Sequence, residues 1–125
     1  MNVLPGVTEI VAEVQERFGN RFDAVRAERP NEIYFDAQME LVAGFTAHLY
    51  KKWDARLVSI FADDVREQEK AFHLYYVFAL DAFHAFFILR VPVPEDAPEF
   101  TSLTNAIPAV NWQEREIQDL SLIHI

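Results

Sequence analysis

Residues 71–80 read Ala-Phe-His-Leu-Tyr-Tyr-Val-Phe-Ala-Leu, an unbroken two-residue alternation. Phe72, Leu74, Tyr76, Phe78 and Leu80 fall on one face, and Ala71, His73, Tyr75, Val77 and Ala79 on the other, as a β-strand requires. A tight connection at Asp81-Ala82 predicts a return over 83–93, with Leu80 opposite Phe83. A hairpin this long commits the chain to an antiparallel sheet, and a face of large apolar side chains needs other elements to cover it. That makes 71–93 the expected centre of stability. The same stretch carries His73, Asp81, His84 and Arg90, which a spanning helix of about 20 apolar residues would not tolerate.

The flanking sequence supplies the cover. Val7, Ile10, Val11, Val14 and Phe18 recur at helical spacing, and Gly19-Asn20 tolerates the left-handed backbone that ends a helix. Short strands follow at 22–28 and 32–35, joined through Arg29-Pro30-Asn31, where proline fixes a turn. Asp36 is the expected N-cap of a second helix through Lys52, with Leu41, Val42, Phe45 and Leu49 as its buried stripe. A strand at 56–62 leads through a charged turn at 63–70 into the hairpin. Pro92, Pro94 and Pro98 end the last strand, a short helix is expected near 102–106, and Pro108 separates it from a final helix. The predicted fold is α+β, an antiparallel-dominated sheet with helices packed on one face, in the order α-β-β-α-β-β-β-α-α.

With 125 residues, the chain is expected to form a single domain over 1–120, large enough to bury a core without metal or disulfide staples. It has no cysteine, so disulfides, iron–sulfur ligation and thiol chemistry are excluded. Twenty acidic against eleven basic residues give a formal charge of −9, which repels phosphate backbones and favours a basic partner. The first residues hold no basic region followed by an apolar run, so a cytoplasmic location is expected.

Sites of chemistry are sparse. His48, His73 and His84 are scattered over a helix and two strands without ligand spacing, and His124 lies in the tail. Gly6, Gly19 and Gly44 are too dispersed for a phosphate loop. Ser59, Ser102 and Ser121 sit in no nucleophile elbow. Tyr75, Tyr76, Phe86 and Phe87 can line a pocket or serve as sheet core and cross-strand pairs.

The densest concentration of function-bearing side chains is Asn111-Trp112-Gln113-Glu114-Arg115-Glu116-Ile117-Gln118-Asp119-Leu120. Asn111 can cap this helix and Glu114 can reach back to the Asn111 N–H, a reciprocal capping arrangement. Arg115 can pair with Asp119 and lie near Trp112 at spacings of three and four. Glu114, Glu116 and Asp119 admit two readings. They are an acid–base or metal-binding carboxylate cluster in a small independent enzyme, or they are part of a contact surface with Trp112 and Arg115.

This run resembles the signature of a peripheral-arm subunit family of NADH-quinone oxidoreductase, respiratory complex I. It is most similar to the version fused to the large subunit of formate-hydrogenlyase-type, membrane-bound nickel–iron hydrogenases. That signature reads Asn-Trp-x-Glu-Arg-Glu-x-x-Asp-Leu/Met followed by Phe-Gly, and the match holds through Leu120. Ser121-Leu122-Ile123-His124-Ile125 departs from it and reads as a truncation or junction. The resemblance implies a non-catalytic assembly subunit or domain docked on the large subunit, through Trp112, Glu114, Arg115, Glu116 and Asp119. It also implies no cofactor in this chain, with Fe–S, flavin or nickel–iron centres in partner subunits. Electron transfer would run from NADH to quinone, or from formate or ferredoxin to protons. Contact with the membrane would come only through the complex.

Overall fold

The computed structural model describes residues 3–96, 98–100, 102, 103, 107 and 113–117. Its elements are α1 (Pro5–Phe18), β1 (Phe22–Arg29), β2 (Glu32–Ala37), α2 (Val42–Trp53), β3 (Arg56–Asp64), α3 (Arg66–Glu69), β4 (Ala71–Leu80) and β5 (Ala85–Pro94). The strands form one sheet in the order β1-β2-β5-β4-β3, antiparallel throughout except for the β2–β5 pair. The α+β class and the dominance of antiparallel pairing match the sequence pattern. The element order does not match fully, because the charged turn contains α3. The helix expected over 102–106 falls mostly outside the described residues, as do Pro108 and Asn111.

The alternation in β4 sorts the core from the outer face. Phe72, Leu74, Tyr76, Phe78 and Leu80 meet Val93, Val91, Leu89, Phe87 and Ala85 of β5, all buried. Onto this face α1 lays Val7, Ile10, Val11, Val14 and Phe18, and α2 lays Val42, Phe45 and Leu49, in one continuous core. Phe45 is the hub of its aromatic part, with ring centroids 5.3 Å from Phe35 and 5.6 Å from Phe78. Gly19 ends α1 at φ 60, in the left-handed region.

Two local expectations are corrected, and β3 shows a feature that no spacing anticipated. Asp36 does not cap α2. It is still in β2, the chain then passes through a 3₁₀ turn at Met39–Leu41, and α2 begins at Val42 with no side-chain cap. The carboxylate of Asp36 accepts hydrogen bonds from Arg90 at 2.7 and 3.0 Å and from Arg26 at 2.9 Å, so two arginines claim it across three strands. The hairpin loop is also longer than two residues. Leu80 pairs with Ala85, and Asp81–Phe83 form a 3₁₀ turn closed by His84 at φ 51. Phe83 leaves the strand because its ring packs edge-on to Trp53 at 6.1 Å and lies against Gly6. The shift is two residues, so the face of every β5 side chain is preserved. Finally, β3 is not a simple alternation: a bulge between Leu57 and Ser59 lets Leu57 and Ile60, three apart, both face the core.

Candidate functional site

Edge strands leave backbone donors unpaired, and the β3 edge is covered by side chains. The Leu57 N–H donates to the Tyr50 hydroxyl at 2.9 Å, and the Ile60 N–H donates to Gln113 Oε1 at 2.6 Å. Gln113 opens the helical stretch 113–117, the described part of the charged C-terminal segment. The next residue fixes that helix more firmly. Glu114 is 0% exposed, accepting from Ser102 Oγ and from the Leu103 N–H, each at 2.7 Å. Both carboxylate oxygens are therefore used in tying the helix to the chain that follows β5. Ile117, 5% exposed, joins the core on the same side.

Tyr76 lies within the field of this carboxylate. Burial first, and then the Glu114 charge, push the phenol well above its usual range, so it stays neutral. Its hydroxyl has no hydrogen-bond partner among the described residues.

Arg115 and Glu116 face solvent. The structure therefore splits the predicted contact set. Gln113, Glu114 and Ile117 point inward, Arg115 and Glu116 outward, while Trp112 and Asp119 lie outside the described residues. Glu114 and Glu116 are not brought together, one being buried and bonded and the other exposed. Among the described residues there is no group of three or more His, Asp or Glu side chains placed to hold a metal.

The described histidines are dispersed over the fold. His48 Nε2 lies 2.8 Å from Glu13 Oε1, which also accepts from Trp53 Nε1 at 2.7 Å, linking α1 to α2. Burial raises the Glu13 carboxyl, but the His48 and Trp53 bonds and the charges of His48 and Lys52 outweigh it and hold the group below its usual range. His73 Nε2 lies 3.2 Å from Glu69. A polar depression of about 430 Å³ beside α3 is lined by Asp64, Arg66, Glu67, Gln68 and Glu95. Its one arginine is held by both Asp64 oxygens, at 2.8 and 2.9 Å.

On the sheet face turned away from α1 and α2, sequence reasoning named Tyr75 and Phe86 as pocket candidates but missed Phe61. Phe61 and Phe86 are 46% and 42% exposed there, and Phe61 stacks on Tyr75 at 4.7 Å. Parity marks Phe86, which alternates with the buried Phe87 and Leu89, whereas the bulge in β3 hides Phe61 from it. Tyr76 and Phe87, grouped with Tyr75 and Phe86 in the sequence, belong to the buried face instead.

These features define a class: a helix-backed, mixed five-stranded α+β domain whose C-terminal helical stretch 113–117 is pinned through Gln113, Glu114 and Ile117 and exposes Arg115 and Glu116. The chain belongs to the family of the 30 kDa subunit of respiratory-chain NADH dehydrogenase, whose model matches residues 36–125. It is 26% identical to hydrogenase-4 component G of Escherichia coli (strain K12) over 112 residues, covering 89% of this chain and 20% of that protein. Formate hydrogenlyase subunit 5 of the same organism is 33% identical over 73 residues, covering 58% of this chain and 13% of that protein. The chain thus spans a fifth or less of these relatives. Among solved structures, a trypsin-resistant fragment of Nqo5 gives a TM-score of 0.77 at 20% identity, covering 95% of this chain and 94% of that one. A chain of the membrane-bound sulfane sulfur reductase, an archaeal respiratory membrane complex, gives 0.78 at 17% identity, covering 91% and 66%. At these identities the likeness establishes the fold. The resemblance read from the Asn111–Leu120 run is to this family.

Proposed function

We propose that residues 1–120 form a docking domain without an active site, which seats against the large subunit of an electron-transfer complex of the NADH-quinone oxidoreductase or nickel–iron hydrogenase type. One observation carries this reading. The family-signature helix is held to the body of the domain by Gln113, Glu114 and Ile117, and it turns Arg115 and Glu116 to solvent. A helix fixed on one side presents charge in a set geometry, and arginine is among the residue types that concentrate binding energy at interfaces. Trp112 and Asp119 belong to the same proposed surface. Redox centres would reside in partner subunits, and the domain would lie at the cytoplasmic side of the membrane through its complex. Among the described residues no helix is long and apolar enough to cross a membrane.

The test is co-purification of the complex with Arg115→Glu and Glu116→Lys, alongside melting of the isolated chain. A desolvated contact is worth about 2 kcal/mol or more, so Arg115→Glu is expected to weaken association about 30-fold while the melting temperature holds. Unchanged complex yield for both variants would overturn the assignment.

A further inference from the structure

The sheet face opposite α1 and α2 has a layout that folding alone does not require. Across its middle, Ser59, Val77, Ile88, Tyr34 and Arg26 lie in register on five neighbouring strands. Val77 and Ile88 form the floor of a depression of about 290 Å³, with Phe61 and Phe86 on either side and Tyr34 and Glu32 completing it. An isolated exposed phenylalanine means little, but a continuous aromatic patch marks a contact site.

The charges around the patch define the partner. Arg26, Arg56 and Arg90 on this face are paired within the domain, and Arg29 lies directly opposite Glu32 in the strand register. Arg26 pairs with Glu28 and Asp36, Arg90 with Asp36, and Arg56 with Asp81. Among the described residues the face carries no lysine. Glu32 receives the Tyr34 hydroxyl at 3.2 Å and has Arg29 opposite it, whereas Asp63 has no ion pair among the described residues. The uncompensated charge, at the Asp63 end of the patch, is therefore negative. Nucleic acid and anionic lipid are disfavoured by that sign. So is a second copy, since each copy has a formal charge of −9 and would bring the same carboxylates together.

We infer that this face is a second docking surface. It receives a segment of the larger subunit that sets an aliphatic or aromatic side chain between Phe61 and Phe86 and lysine or arginine against Asp63. The inference rests on the assembly reading, but it concerns a surface on the other side of the sheet. Ile60, whose N–H meets Gln113, faces the core, while its neighbour Phe61 faces away.

The experiment compares the tagged full chain, free and in the complex purified from its native membranes, by hydroxyl-radical footprinting and carbodiimide cross-linking. In the complex, oxidation of Phe61, Phe86 and Tyr75 is expected to slow severalfold, and Asp63 to join a lysine of the large subunit. The double variant Phe61→Asp, Phe86→Asp is expected to reduce complex recovery about 30-fold without loss of the fold. A complex that forms with Phe61 and Phe86 still reactive overturns this inference and leaves the assembly reading standing. Protection that appears in the free chain with rising concentration assigns the face to a second copy and overturns it too. If no large subunit accompanies the chain, both fall.

Discussion

Replacing Glu114 by alanine tests how the signature helix is held. The side chain is fully buried and accepts two hydrogen bonds at 2.7 Å, one from Ser102 Oγ and one from the Leu103 N–H. Hydrogen bonds to a charged acceptor are each worth roughly 1.5–3 kcal/mol, and alanine would also leave the buried Leu103 N–H without this acceptor. Release of the carboxylate from its desolvated position returns part of that sum, so the net loss is about 2–4 kcal/mol. The loss is local, because the segment after β5 can detach while the sheet and its two helices persist. Native-state hydrogen exchange resolves this. The Leu103 amide and the Ile60 amide, whose acceptor is Gln113, are expected to exchange about 30- to 1,000-fold faster, with Leu74 and Leu89 unchanged. Glu114→Gln keeps one acceptor oxygen and should fall between the alanine variant and wild type. Unchanged protection of both reporter amides in Glu114→Ala would refute the anchoring role.

Other substitutions probe the two sheet faces and the helix clamp. Phe78→Ala removes a fully buried ring beside Phe45 and is expected to cost about 3–5 kcal/mol by chemical denaturation, against about 1 kcal/mol or less for Phe61→Ala on the open face. Asp36→Asn removes the charge shared by Arg26 and Arg90 and leaves two cations adjacent. A loss of about 1–3 kcal/mol, larger at low salt, is the expected outcome of denaturation at two ionic strengths. The Glu13 carboxyl is depressed in the fold, so its contribution is complete above the usual glutamate range and is lost as pH falls through its folded value. Glu13→Gln should flatten the acid limb of the melting-temperature profile, and an unaltered limb would remove Glu13 from the clamp.

What the sequence made legible was set by periodicity. The faces of β4, the stripe of α1 and the stripe of α2 follow from spacing, because burying apolar side chains against one sheet face leaves little choice of orientation. Where a residue's role depends on partners distant in sequence, spacing is silent. Asp36 has the chemistry of an N-cap, and only the assembled sheet places Arg90, 54 residues later, against it. Phe83 continues the strand pattern, and only the packed ends of α1 and α2 explain why its ring leaves it. The bulge in β3 is likewise invisible to alternation, since one extra residue makes Leu57 and Ile60 appear to lie on opposite faces.

The charge density of the 111–120 run has a physical cause on its inward side. A helix that closes a sheet edge must satisfy an N–H such as that of Ile60, and Gln113 supplies a neutral acceptor for it. A chain that crosses back from β5 leaves further donors at Ser102 and Leu103, and Glu114 supplies both acceptors from one side chain. An apolar residue at either position would bury those donors unpaired at about 1–3 kcal/mol each, so two of the run's polar side chains are demanded by the domain itself. Arg115 and Glu116 are exposed, where burial makes no such demand. Mutating the inward pair should therefore loosen the helix in the isolated chain, whereas mutating Glu116 should register chiefly when a partner is present. That difference separates a structural helix from a docking one.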